Sequence, residues 1–66
     1  MIELTINGKK ETTRSTSLID LIQTKKLEVS KVAVIYNDIV LEKTDWNEII
    51  LKNNDDLELI TFVGGG

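Results

Sequence analysis

Hydrophobic and polar residues alternate strictly at the start of this chain. Ile2, Leu4 and Ile6 fall on one side, and Glu3, Thr5 and Asn7 on the other. That period of two predicts a half-buried strand over residues 1–7. Asn7-Gly8 follows, a pair that accepts the two positive φ angles of a tight hairpin turn. Residues 9–14 then predict a second, polar strand. Its Thr12 and Thr13 suit an edge, and its charges discourage edge pairing. The period changes after Ser15-Thr16-Ser17. Leu18, Leu21 and Ile22 stand at i, i+3 and i+4, which makes one apolar helical stripe. Ser17 with Asp20 has the S-x-x-[DE] capping form, and the helix is expected over about 18–26. Lys25 and Lys26 would close its last turn, where cations suit the helix dipole.

The second half of the chain returns to strands. Val32-Ala33-Val34-Ile35-Tyr36 is almost wholly apolar and predicts an interior strand. Asn37-Asp38 predicts a turn, and Ile39-Val40-Leu41 a short strand beyond it. Residues 43–50 are ambiguous, with Thr44 a candidate cap for one helical turn that buries Trp46 and either Ile49 or Ile50. The cluster Asn53-Asn54-Asp55-Asp56 predicts a turn, and residues 57–62 a last strand. The order is β-β-α-β-β-β, an α+β domain with one main helix on one face of a mixed sheet of about five strands. The core would join Ile2, Leu4 and Ile6, Val32, Val34 and Tyr36, and Leu57 and Leu59 to the helical stripe.

Composition narrows the chemistry. Sixty-six residues limit the chain to one domain. There is no Cys, His or Pro, and 8 basic against 11 acidic residues give a net charge of −3. Thiol, imidazole and zinc chemistry of the usual kinds is thereby excluded. A mild negative charge argues against nucleic-acid binding, which needs a basic surface. No apolar run is long enough to span a bilayer, and no basic segment followed by an apolar stretch marks a signal peptide. We expect a cytoplasmic protein with no metal site, no bound cofactor and no catalytic residue of its own.

Three of the four glycines are Gly64, Gly65 and Gly66. We expect a domain over 1–63 and a flexible tail over 64–66. Extended, residues 63–66 would span about 13–14 Å, enough to enter another protein's cleft. Glycine lets the backbone approach closely, and Gly66 leaves its carboxyl carbon unhindered for activation and attack.

Across its whole length the chain resembles the ThiS family, the sulfur carrier proteins of thiamin biosynthesis. The features that carry the resemblance are the start Ile2-x-Leu4-x-Ile6-Asn7-Gly8, the Val32-Ala33-Val34 strand followed by Asn37, and the ending Leu57-Glu58-Leu59-Ile60-x-x-Val63-Gly64-Gly65-Gly66. Departures are Glu42 in place of a proline, Ile35 where the family often has an acid, and Asn54 in place of a turn glycine. The resemblance implies a ubiquitin-like β-grasp fold. It also implies that a ThiF-like partner uses ATP to adenylate Gly66, with Gly64 and Gly65 as the arm. The adenylate would become a thiocarboxylate, with sulfur from a donor such as a cysteine desulfurase, and a ThiG-like thiazole synthase would take up the sulfur.

In a β-grasp sheet the third and last strands are neighbours. Strand alternation then puts Ala33, Ile35, Ile60 and Phe62 on the face away from the helix. With Val63 they form a candidate partner-docking patch beside the tail. Two other readings share the fold. One is a MoaD-like carrier for molybdopterin synthesis, although such chains are usually longer and often have proline near the tail. The other is a ubiquitin-like modifier or interaction domain.

Overall fold

The computed structural model describes residues 1–62. Five strands form one mixed sheet in the order β2-β1-β5-β3-β4. β1 (Ile2–Ile6) and β2 (Lys9–Thr13) are an antiparallel hairpin, with Ile2 opposite Thr13 and Ile6 opposite Lys9. Its turn residues, Asn7 and Gly8, have φ of 51° and 80°. A side chain at Gly8 would meet nothing within 4 Å, so the backbone angle alone asks for glycine there. β3 (Val32–Tyr36) and β4 (Ile39–Leu41) form a second antiparallel hairpin. Asn37 and Asp38 turn it, also at positive φ (48° and 70°).

β5 (Asp56–Thr61) lies between the hairpins, parallel to β1 and antiparallel to β3. It begins one residue earlier than its apolar pattern predicts. Asp56 already pairs with Thr5, and its N–H donates to Asn37 Oδ1 at 2.8 Å. Asn54 precedes the strand at φ 72°, a conformation asparagine tolerates better than most residues.

The helix α1 (Leu18–Thr24) packs on one face of the sheet. Ser17 Oγ accepts the Asp20 N–H at 3.1 Å, so the expected N-cap is formed. The C-terminus differs from expectation. The helix stops at Thr24, Lys25 is its C-cap and Lys26 turns left-handed at φ 59°. The Lys26 N–H donates to the Gln23 carbonyl (2.9 Å) and the Leu27 N–H to the Ile22 carbonyl (3.2 Å). This pairing is a Schellman motif, which satisfies the last carbonyls and ends the helix. Leu27 then packs against the core, and Lys25 leaves the helix end to pair with Glu11 at 2.8 Å.

The segment 43–50 resolves as a 3₁₀ turn over Lys43–Glu48. Glu42 stands at its N-cap with no side-chain hydrogen bond, so Thr44 is not a cap. Trp46 is buried, Ile49 packs against the core edge, and Ile50 faces solvent at 68% exposure. Ile50 is held instead by a bridge to Ser17. Among the described residues the Trp46 Nε1–H has no hydrogen-bond partner.

The core joins Leu4, Ile6, Val32, Val34, Leu57 and Leu59 of the sheet to Leu18, Leu21 and Ile22 of the helix. Trp46 and Leu51 close one end. Ile2 and Tyr36 are only half-buried at its margin. Each fully buried aliphatic side chain contributes about 1.5–3 kcal/mol, and these contacts hold a chain that has no disulfide.

Candidate functional site

The strand that leads to the C-terminus is an interior strand of the sheet. β5 has a neighbour on each side, and the Phe62 N–H extends the pairing by donating to the Lys31 carbonyl at 2.8 Å. Two hydrogen bonds with one side chain fix its other flank. Leu59 exchanges hydrogen bonds with the Asn7 side chain, its N–H donating to Oδ1 at 2.8 Å and its carbonyl accepting from Nδ2 at 3.3 Å. Asn7 thus continues β1's hydrogen bonding where the backbone turns away. Val63, Gly64, Gly65 and Gly66 lie outside the described residues.

On the face away from the helix, Ile60 stands directly opposite Ala33. Ile35 stands between Glu58 on β5 and Val40 on β4. Leu57 and Leu59 alternate to the buried side. Ala33 and Ile35 are half-buried, while Ile60, Phe62 and Val40 are 42%, 60% and 73% exposed. The structure therefore brings together the four described residues of the expected patch and adds Val40. The two-residue Asn37-Asp38 turn was the signal for Val40, because it sets the register that puts residue 40 opposite residue 35.

At the far end of β5 a polar cluster closes on Asp55. Its carboxylate accepts the Tyr36 hydroxyl at 2.6 Å, the Lys52 N–H at 2.8 Å and Asn37 Nδ2 at 3.1 Å. Burial alone would raise the Asp55 pKa, but these donors outweigh it and hold the carboxyl below its usual value. Burial, the hydrogen bond to Asp55 and the Asp55 charge push Tyr36 up to about 12. A phenol so hard to ionise is no general base at neutral pH. The cluster ties the β3–β4 turn to the loop before β5, which is a structural task.

A groove of about 500 Å³ lies between β2, the helix end and β5, with Lys9, Glu11, Lys25 and Thr61 among its walls. Its Lys25–Glu11 pair is part-exposed, and such pairs contribute little. Among the described residues no group of three acids could hold a metal ion, and no helix is long and apolar enough to cross a membrane. What the arrangement offers is an anchored strand running toward the C-terminus, flanked by an exposed apolar face.

Comparison with known proteins agrees with this architecture. The ThiS family model matches residues 3–66. A protein of Trieres chinensis, uncharacterized protein ycf40, is 37% identical over 62 residues, 92% of this chain and 85% of that protein. The ycf40 protein of Pyropia yezoensis, also uncharacterized, is 38% identical over 66 residues, covering 98% of this chain and 93% of that one. The crystal structure of the thiamine biosynthesis protein ThiS from Geobacter metallireducens superposes with a TM-score of 0.82 at 30% identity. It spans 98% of this chain and 100% of that one. The solution structure of a thiamine biosynthesis protein from the same organism gives 0.80, also at 30% identity, over 98% and 88% of the two chains.

Proposed function

The chain belongs to the ThiS family, and from that membership we propose that it is a sulfur carrier acting through its C-terminal carboxylate. A partner enzyme binds ATP, and a Gly66 carboxylate oxygen attacks the α-phosphorus. Pyrophosphate leaves, and the product is an acyl-adenylate. The terminal sulfur of a desulfurase-derived persulfide displaces AMP to give an acyl disulfide. A thiol of the sulfur-delivering partner then cleaves its S–S bond, leaving the thiocarboxylate and a disulfide on that partner. That anionic sulfur is then given to a thiazole synthase. The chain is a co-substrate in the cytoplasm, and the catalytic groups belong to its partners.

The observation that carries this reading is the anchored β5 beside the exposed face of Ala33, Ile35, Ile60 and Phe62. A carrier must hold a rigid body against each partner while a narrow glycine arm enters the active site. The absence of cysteine from the sequence leaves no thiol to compete for the activated acyl group. The likeness to thiamine biosynthesis structures supports thiazole rather than molybdopterin as the destination.

Deleting Gly65 and Gly66 tests the reading. The truncated chain should keep its melting temperature and lose all sulfur transfer. Full transfer by the truncated chain would refute the role of the tail.

A further inference from the structure

The outward face carries charge as well as apolar area. Glu58 stands directly across from Ile35 and two residues before Ile60 on the same strand. Asp56 is the next outward residue on β5. On the opposite side, Glu42 follows β4 in extended backbone at φ −82° and ψ 148°, one residue past the last β3–β4 pair, Val34 with Leu41. Acids therefore border the apolar patch on two sides. Two lysines flank the face. Lys31, beside Phe62, is drawn into an ion pair with Glu28 at 3.5 Å, and Lys10 is two strands away on β2, beyond β1.

We infer that this face docks on a partner surface whose own apolar centre is bordered by arginine or lysine, the acids of Glu58, Asp56 and Glu42 setting the on-rate and the choice of partner. The inference rests on the carrier reading above and names the chemistry of the adenylating partner's docking surface. The same acids disfavour a second copy as the occupant. A two-fold pairing of identical patches sets the border of one copy against that of the other, and like charges so placed cost several kcal/mol. A basic border reverses the sign. It attracts the acidic face at long range, while the apolar centre supplies the contact that holds it.

The test is association kinetics of the full-length chain with its adenylating enzyme, at low and at physiological ionic strength. Wild type should associate more slowly as salt rises. Glu58→Lys should lower the low-salt on-rate by about 10-fold or more and leave the off-rate nearly unchanged. Ile60→Asp should instead raise the off-rate, since loss of packing acts there. Both sites are exposed, and an unchanged melting curve verifies the fold. On-rates that ignore both salt and Glu58→Lys overturn the acidic border, even where intact mass shows that the chain still gains sulfur. A chain that neither binds the enzyme nor gains sulfur overturns the carrier reading and this inference with it. Sedimentation of the free chain is the third arm. A monomer agrees with the inference, and a dimer dissolved by Ile60→Asp overturns it by naming the second copy as occupant.

Discussion

Asn7 and Leu59, fifty-two residues apart, exchange two hydrogen bonds through the Asn7 amide, at 2.8 and 3.3 Å. The contact joins the first hairpin turn to the strand that leads to the tail. Asn7→Gly keeps the positive φ of the turn and removes only the clamp. Two hydrogen bonds at about 1 kcal/mol each predict a loss of about 1–2 kcal/mol. Thermal unfolding should show a fall of about 4–8 °C per kcal/mol for a domain of this size. An unchanged melting temperature would mean that the turn alone fixes the hairpin.

The Tyr36–Asp55 bond predicts a pH window. The Asp55 carboxyl is lowered in the fold, so its contribution is complete above the ordinary carboxylate pKa and is lost as pH falls through the folded value. Tyr36 is raised from 10 to about 12, so its contribution is complete below about pH 10 and is lost as pH climbs toward 12. Tyr36→Phe should therefore cost most stability between about pH 5 and pH 9. Denaturant midpoints across the range measure it, and a cost independent of pH would rule out this coupling.

Lys26 occupies a left-handed position where a side chain costs about 1 kcal/mol or more. Lys26→Gly should stabilise the domain by about 0.5–1 kcal/mol, seen as a higher denaturant midpoint with an unchanged slope. A destabilised variant would show that the lysine stem makes contacts worth more than the backbone relief.

Ile60 and Phe62 face solvent and contribute little to the core. The pair Ile60→Asp and Phe62→Asp should abolish activation by the adenylating partner and leave circular dichroism and the melting curve close to wild type. Global unfolding of the double variant would show that the face belongs to the core rather than to a partner.

The parts of the fold written in local pattern are legible from the sequence. Alternation places β1, the β-prone apolar runs 32–36 and 57–62 place β3 and β5, Asn7-Gly8 and Asn37-Asp38 give both hairpin turns, and Ser17 marks the helix start. The helix end is not legible, because Lys26 takes the left-handed place that glycine usually announces. Leu51 is a core residue in an irregular segment, where no period identifies it. Asn7 and Asp55 read as ordinary turn residues, since their decisive bonds reach across the sequence to Leu59 and Tyr36. The patch residues 33, 35, 60 and 62 follow from alternation once the last strand is set beside the third. Val40 and the bordering acids need the β3–β4 register as well.

The central claim is that the Gly66 carboxylate is where sulfur is carried. Incubating the chain with ATP, its adenylating enzyme and a sulfur donor, and then measuring intact mass, tests it most directly. The account predicts a gain equal to the mass difference between sulfur and oxygen, localised to the C-terminal peptide and dependent on ATP. An unchanged mass with a competent cognate enzyme present, or a gain localised elsewhere, would contradict it.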